Sequence, residues 1–163
     1  MEIMSDKKSL FQAIDAQRDT LCSMADQIFD NPEYEGEEVF ASGLLTDYLI
    51  ANGFDVQMGV GGFKTAFRAT YSHGEGGPVI GILCEYDALR NLGHGCGHHM
   101  QGPGCLGAVV ALKDLDTDKP FQLVVYGTPA EETFGSKVQM IQNGCFKELD
   151  VALMMHGGPN TCT

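Results

Sequence analysis

A chain of 163 residues is enough for one ordinary domain with a real core. Ten basic residues against 22 acidic ones leave a net charge of −12. Nucleic acid and anionic membrane surfaces repel such a chain, which suits instead a protein that holds cations.

Met1 to Leu10 mixes both signs of charge without an apolar run, so neither a signal peptide nor a membrane span is expected there, and no later stretch approaches spanning length. Leu10, Ile14, Leu21, Met24, Ala25 and Ile28 recur at helical spacing and predict one amphipathic helix over Lys7 to Phe29, ended by Asn31-Pro32. A second helix is expected from about Glu35 to Ala51, with Val39, Phe40, Leu44, Tyr48 and Leu49 on its buried side and Asn52-Gly53 as its stop. The period then changes. Phe54, Val56 and Met58 alternate with polar residues, as do Phe63, Thr65, Phe67, Ala69 and Tyr71, and the glycines between them predict a strand pair. Val79 to Cys84 and Gln122 to Tyr126 read as buried strands, Gly104 to Leu115 and Lys137 to Asn143 as helices, and Val151 to Met155 as a last strand. The order describes an α/β domain with a mostly parallel central sheet flanked by helices. The six cysteines form no CxxC pair; without an export signal they are expected to be reduced thiols in a cytoplasmic protein.

Polar residues gather where the buried strands end: Glu85-Tyr86-Asp87, Thr128-Pro129-Ala130-Glu131-Glu132, and His156. Ligands of open α/β sheets bind at the carboxyl ends of the strands, so these residues should meet at one sheet edge. Between them lies Gly93-His94-Gly95-Cys96-Gly97-His98-His99. Thiolate and imidazole suit zinc and related ions, and an extended backbone would send Cys96 and His98 to the same side. Such a stretch is also compatible with a solvated glycine loop. Glu131-Glu132 fits a carboxylate that binds metal beside one that takes a proton from water, or equally a helix N-terminus. His156 could be a hydrogen-bonded rim residue and Asp87 a helix cap. Gly102-Pro103-Gly104-Cys105-Leu106-Gly107 imitates a dinucleotide-binding pattern but does not directly follow a strand. Cys96 with His94 or His98 could act as a thiol nucleophile and its base, a scheme that needs neither the Glu pair nor His156.

Glu85-Tyr86-Asp87-Ala88-Leu89, Gly93-His94-Gly95-Cys96-Gly97-His98, Pro129-Ala130-Glu131-Glu132 and Met155-His156-Gly157-Gly158-Pro159 together resemble the M20 metallopeptidase and amidohydrolase family. The aminoacylase-like branch, with the aminobenzoyl-glutamate hydrolase B-type subunits, is the most similar. The resemblance runs from about Asp15 to Pro159. It implies a zinc-exopeptidase-like catalytic domain with two divalent metal ions per full-length subunit, zinc or manganese. Cys96, His98, Glu132 and His156 would be metal ligands, Glu131 the general base that later protonates the leaving amine, and Asp87 a group orienting a ligand. The implied reaction is hydrolysis of the amide of N-acyl or N-aroyl amino acids or of small dipeptides, in a parent that is a homodimer. His99 stands where relatives often carry an acidic or amide residue and is left without a role.

Family members continue well past the His156 motif, with a dimerisation and substrate-closing domain and a last histidine ligand. The 163 residues are therefore expected to be a truncated, N-terminal part of the catalytic domain. Weak metal binding, little amidase activity and a tendency to associate follow from that expectation, with a non-catalytic metal-binding or interaction remnant as the alternative.

Overall fold

The computed structural model describes residues 2–158. Among them, six α-helices, α1 (Glu2–Ala16), α2 (Arg18–Asp30), α3 (Val39–Ala51), α4 (His98–Lys113), α5 (Glu131–Phe134) and α6 (Ser136–Gln142), surround five strands, β1 (Asp55–Met58), β2 (Phe67–His73), β3 (Val79–Cys84), β4 (Phe121–Gly127) and β5 (Val151–Met154). The strands form one sheet in the order β1-β2-β4-β3-β5. The sheet is mixed. β3 runs parallel to both β4 and β5, while β2 is antiparallel to β1 and β4. The parallel half brings the ends of β3, β4 and β5 to the same edge.

Period-two burial explains the two layers. Leu123 and Val125 of β4 enter the core that α2, α3 and α4 cover, through Met24, Ile28, Leu45, Leu49, Leu106 and Val109. Val124 and Tyr126 of the same strand enter a smaller core on the other face, closed by Met140 of α6. Burying each of these side chains contributes roughly 1.5–3 kcal/mol.

Several elements differ from their sequence pattern for identifiable reasons. The first helix is two helices, broken at Gln17 (φ −92°, ψ −5°). The Gln17 side-chain nitrogen donates to Ala13 O at 2.9 Å while its side-chain oxygen accepts the Tyr48 hydroxyl at 2.5 Å, so a tertiary contact decides the bend. α3 begins at Val39, later than expected, because Glu35 and Gly36 are left-handed (φ 57° and 87°) and Glu33 caps the Phe40 and Ala41 amides at 2.9 Å each. Its buried face is Ala41, Ser42, Leu45, Thr46 and Leu49. Val39 and Phe40, expected inside, are exposed. α4 begins six residues before Gly104, so the apparent dinucleotide motif lies within a helix. There Gly102 and Gly107 leave space for Leu45 and Leu21 instead of a phosphate. All four residues of β5 are exposed, unlike those of the other parallel strands.

Away from the strand ends, the Glu148 carboxylate receives Arg68 Nε and Nη2 (2.7 and 2.5 Å) and the Tyr126 hydroxyl (2.7 Å), tying β2 and β4 to the segment before β5. The Arg68 hydrogen bond holds the Glu148 pKa below its ordinary 4.5, against opposition from burial. A carboxylate with a depressed folded-state pKa stabilises the fold above its unfolded pKa and loses that contribution as pH falls through the folded value. Glu148→Gln should therefore cost about 1 kcal/mol at pH 7, and the difference from the parent should shrink below pH 4.5. Urea unfolding of both proteins across this range checks it; a gap that widens in acid would contradict the assignment.

Candidate metal centre

The edge formed by the parallel strands is built around His98, the first residue of α4 and only 1% exposed. Gly97, left-handed at φ 85°, turns the chain from Cys96 into the helix. Cys96 and His98 are thus not two residues of an extended segment. A glycine turn, not strand alternation, sets their directions.

Asp87, past the end of β3, organises the centre. Its Oδ1 and its own carbonyl oxygen lie 3.0 and 3.1 Å from His98 Nδ1, and its Oδ2 accepts the Glu132 backbone N–H at 3.0 Å. With two oxygens facing Nδ1, the neutral form of the ring carries its proton there and keeps its lone pair at Nε2. His156 follows the same logic: its Nδ1 donates to Gly157 O at 2.7 Å and its Nε2 lies 3.3 Å from His98 Nε2. Glu85 Oε2 is also 3.3 Å from His98 Nε2, and Glu132 Oε1 is 3.8 Å away. Two groups of donor atoms, each within 4.8 Å of one another, result: Glu85, His98 and His156, and His98, Glu131 and Glu132. Burial opposes charge on His98, but the Asp87 hydrogen bond and the Asp87 and Glu85 charges outweigh it and raise its pKa.

Cys96 is partly buried beside Glu132. Hydrogen bonding to that carboxylate, then burial, then the charges of Glu132, Glu131 and Asp87 push its pKa up to about 11. The thiol stands beside the carboxylates but belongs to neither three-donor group.

Glu131 and Glu132 open the four-residue α5, directly after Ala130, which is held left-handed (φ 54°, ψ 41°). The fully buried Glu38 holds this turn. Its Oε1 accepts the Ala130 and Gly36 amides (3.0 and 2.8 Å) and its Oε2 accepts the Thr65 hydroxyl (2.9 Å). A non-glycine residue in this region costs of order 1 kcal/mol or more, so its surroundings must impose the conformation. Glu38 gave no signal in the sequence, where it reads as one of several acids in the first turn of the expected helix.

Glu85 is among the strand-end acids of the sequence pattern but received no role there, and Gln101 carries no signal. Gln101 Oε1 accepts the Glu85 backbone N–H at 2.5 Å, and its amide nitrogen reaches Glu85 Oε2 (3.0 Å) and Met155 O (2.5 Å). It thereby staples the end of β3 to the residue before His156. The i, i+2 spacing of Glu85 to Asp87 is the one hint that could have found it. Tyr86 between them points the other way, stacking on Phe67 with its hydroxyl on Thr65 O at 2.8 Å.

The other histidines of the glycine-rich loop face elsewhere. His94 and His99 pack with Phe29 of α2, at ring-centroid distances of 6.5 and 5.0 Å. His94 is buried against the Ile28 backbone. Burial first, then His99 and His98, push its pKa down to about 4, so the ring is neutral. Pro159 of the His156 motif and Cys162 lie outside the described residues; Cys22, Cys84, Cys96, Cys105 and Cys145 are free thiols.

A sheet edge that collects imidazole, carboxylate and thiol donors beneath a carboxylate pair has the layout of a metallopeptidase domain. The sequence profile of peptidase family M20/M25/M40 matches residues 83–163, the stretch that carries all of these donors. The B-type subunit of p-aminobenzoyl-glutamate hydrolase from Escherichia coli K12 is 36% identical over 88% of the chain and 34% of its own length. Xaa-Arg dipeptidase of Mus musculus is 37% identical over 92% of the chain and 38% of its own length. A Bacillus subtilis protein described as a dinuclear metal binding peptidase from the M20 family superposes with a TM-score of 0.76 at 21% identity, over 90% of this chain and 44% of that one. The chain belongs to peptidase family M20/M25/M40. It spans about a third of the length of these curated relatives.

Proposed function

We propose that these residues form part of a metal-dependent amidohydrolase that cleaves the amide of N-acyl or N-aroyl amino acids or of small dipeptides. The observation that carries this reading is the convergence on His98 Nε2. Two imidazoles, each with its Nδ1 proton committed to an oxygen, turn their remaining lone pairs toward each other at 3.3 Å, with a carboxylate oxygen equally near. Lone pairs so arranged repel unless a cation or a proton lies between them, and nitrogen, carboxylate and thiol donors together suit a zinc-type or manganese-type ion.

Cys96, His98, Glu132 and His156 would hold the two ions, with Glu85 close to His98. When bound, the metal supplies Lewis-acid polarisation of the scissile carbonyl and makes the attacking water more acidic. Glu131 takes the proton of that water and returns it to the leaving amine. Asp87 keeps the His98 Nδ1 proton in place and orients the Glu132 backbone. Nucleophilic attack by Cys96 is the weaker reading, because it leaves Glu131, Glu132 and His156, gathered around His98, without a role. The relatives' names supply the substrate class: one belongs to a p-aminobenzoyl-glutamate hydrolase and another is an Xaa-Arg dipeptidase. The proposed setting is the cytoplasm and the proposed assembly of the parent a homodimer. Among the described residues, no helix is long and apolar enough to cross a membrane. Taken alone, the 163 residues are proposed to bind metal weakly and turn over little, since His156 and all of β5 are exposed.

The test is hydrolysis of N-acyl amino acids, N-aroyl amino acids and dipeptides, with any coding sequence that follows Thr163 included. Turnover that needs metal, and that Glu131→Gln lowers about 10²–10⁴-fold at unchanged metal content, is the expected result. Stoichiometric metal without any turnover would favour the non-catalytic alternative. Turnover that survives chelation but not thiol alkylation would overturn the metal mechanism.

A further inference from the structure

Lys137 has no part in the chemistry described above, yet it is joined to the centre. It lies on α6, whose Val138 and Ile141 face outward. Its Nζ is paired with Glu85 Oε1. Glu85 is 2% exposed, and its other oxygen is shared between Gln101 and the space beside His98 Nε2. Four carboxylates, from Glu85, Asp87, Glu131 and Glu132, crowd around one imidazole. Among the described residues, Lys137 is the only lysine or arginine ion-paired with any of them.

Building on the metal-centre reading, we propose that Lys137 is an internal counter-ion: it keeps the metal-free centre assembled by neutralising buried Glu85, and it competes with the divalent cation for that carboxylate. The reason is electrostatic. A buried carboxylate among three others is costly unless a positive charge compensates it. Once a divalent ion sits at His98 Nε2, the same ammonium is a like charge a few ångströms away and works against the ion. Lys137 is a positioning residue, acting through Glu85, and touches no reacting atom.

Cobalt(II) binding followed by calorimetry and by the visible absorption of the bound ion, together with urea unfolding of the metal-free 163-residue chain, tests this. Lys137→Met should destabilise the metal-free chain yet bind cobalt about tenfold more tightly, an increase that mere loss of packing does not produce. Lys137→Arg, which keeps the charge, should stay within about twofold of the parent. If Lys137→Met is too unstable to purify without metal, the Glu85→Gln/Lys137→Met pair, lacking both charges, should recover the metal-free stability. Equal or weaker cobalt binding by Lys137→Met, unchanged metal-free stability, or no recovery in the double variant overturns the proposal while leaving the metal centre standing. No cobalt uptake by the parent or by any variant overturns the metal reading and the competition with it.

Discussion

Replacing Cys96 by Ser together with His98 by Ala is expected to weaken divalent-metal binding by more than about 100-fold and to destabilise the chain by about 3 kcal/mol. The first effect follows from the position of His98, the one residue common to both donor groups. Without its Nε2, Glu85 and His156 lose the donor that joins them to Glu131 and Glu132. Removing the thiol takes away the soft donor facing Glu132. The second effect arises because His98 is the ring partner of Asp87 and the neighbour of Glu85, both 2% exposed. Truncating it leaves the buried Asp87 Oδ1 without its ring partner and opens a void beside Glu85. Elemental analysis after gentle purification and urea unfolding read the two effects separately. Stoichiometric metal in the double variant would mean that the ion sits elsewhere. A parent chain that folds but takes up no metal even in excess would overturn the metal-centre reading.

Asp87→Asn should cost about 10–100-fold in metal affinity, although it changes one atom and no volume. Asp87 uses both oxygens as acceptors, from His98 Nδ1 at 3.0 Å and from the Glu132 N–H at 3.0 Å. An asparagine has one acceptor and one NH₂, so one of the two donors must face a donor. If the amide turns its NH₂ to the histidine, the ring exchanges tautomers and its proton moves to Nε2, the nitrogen that faces the other donors. If it turns the NH₂ to Glu132, the backbone that aims Glu131 and Glu132 loses its anchor. Either way the site is disturbed through orientation. The loss of stability should be only about 1–3 kcal/mol. Calorimetric titration with metal on a variant shown to be folded is the measurement. Binding as tight as the parent's would remove Asp87 from the role assigned to it.

Both substitutions concern residues that the sequence pattern already singles out. The apolar runs 79–84, 122–126 and 151–155 announce strands. Chain order places Asp87, Glu132 and His156 behind them, and parallel pairing of β3 with β4 and β5 brings those ends together. Glu85 is legible as a strand-end acid but without a role, and Gln101, Glu38 and Lys137 are not legible as site residues. Lys137 opens an expected helix and Gln101 lies just before one, positions where a polar side chain ordinarily reads as solvated surface. Glu38 is a surface acid by sequence and a fully buried carboxylate by structure. The sequence pattern and the resemblance favour His98 over its neighbours, and packing against Phe29 gives the physical reason His94 and His99 face elsewhere.

By itself, the sequence determined most element types and the sheet edge where the candidate donors gather, because period and strand polarity are local properties written in every few residues. Only the tertiary structure decided which carboxylate is buried, where the first helix breaks, where His94 and His99 turn, and that β5 is the exposed parallel strand. Those outcomes depend on contacts between residues as far apart as Glu38 and Ala130, or Glu85 and Lys137, and no local pattern encodes such pairings.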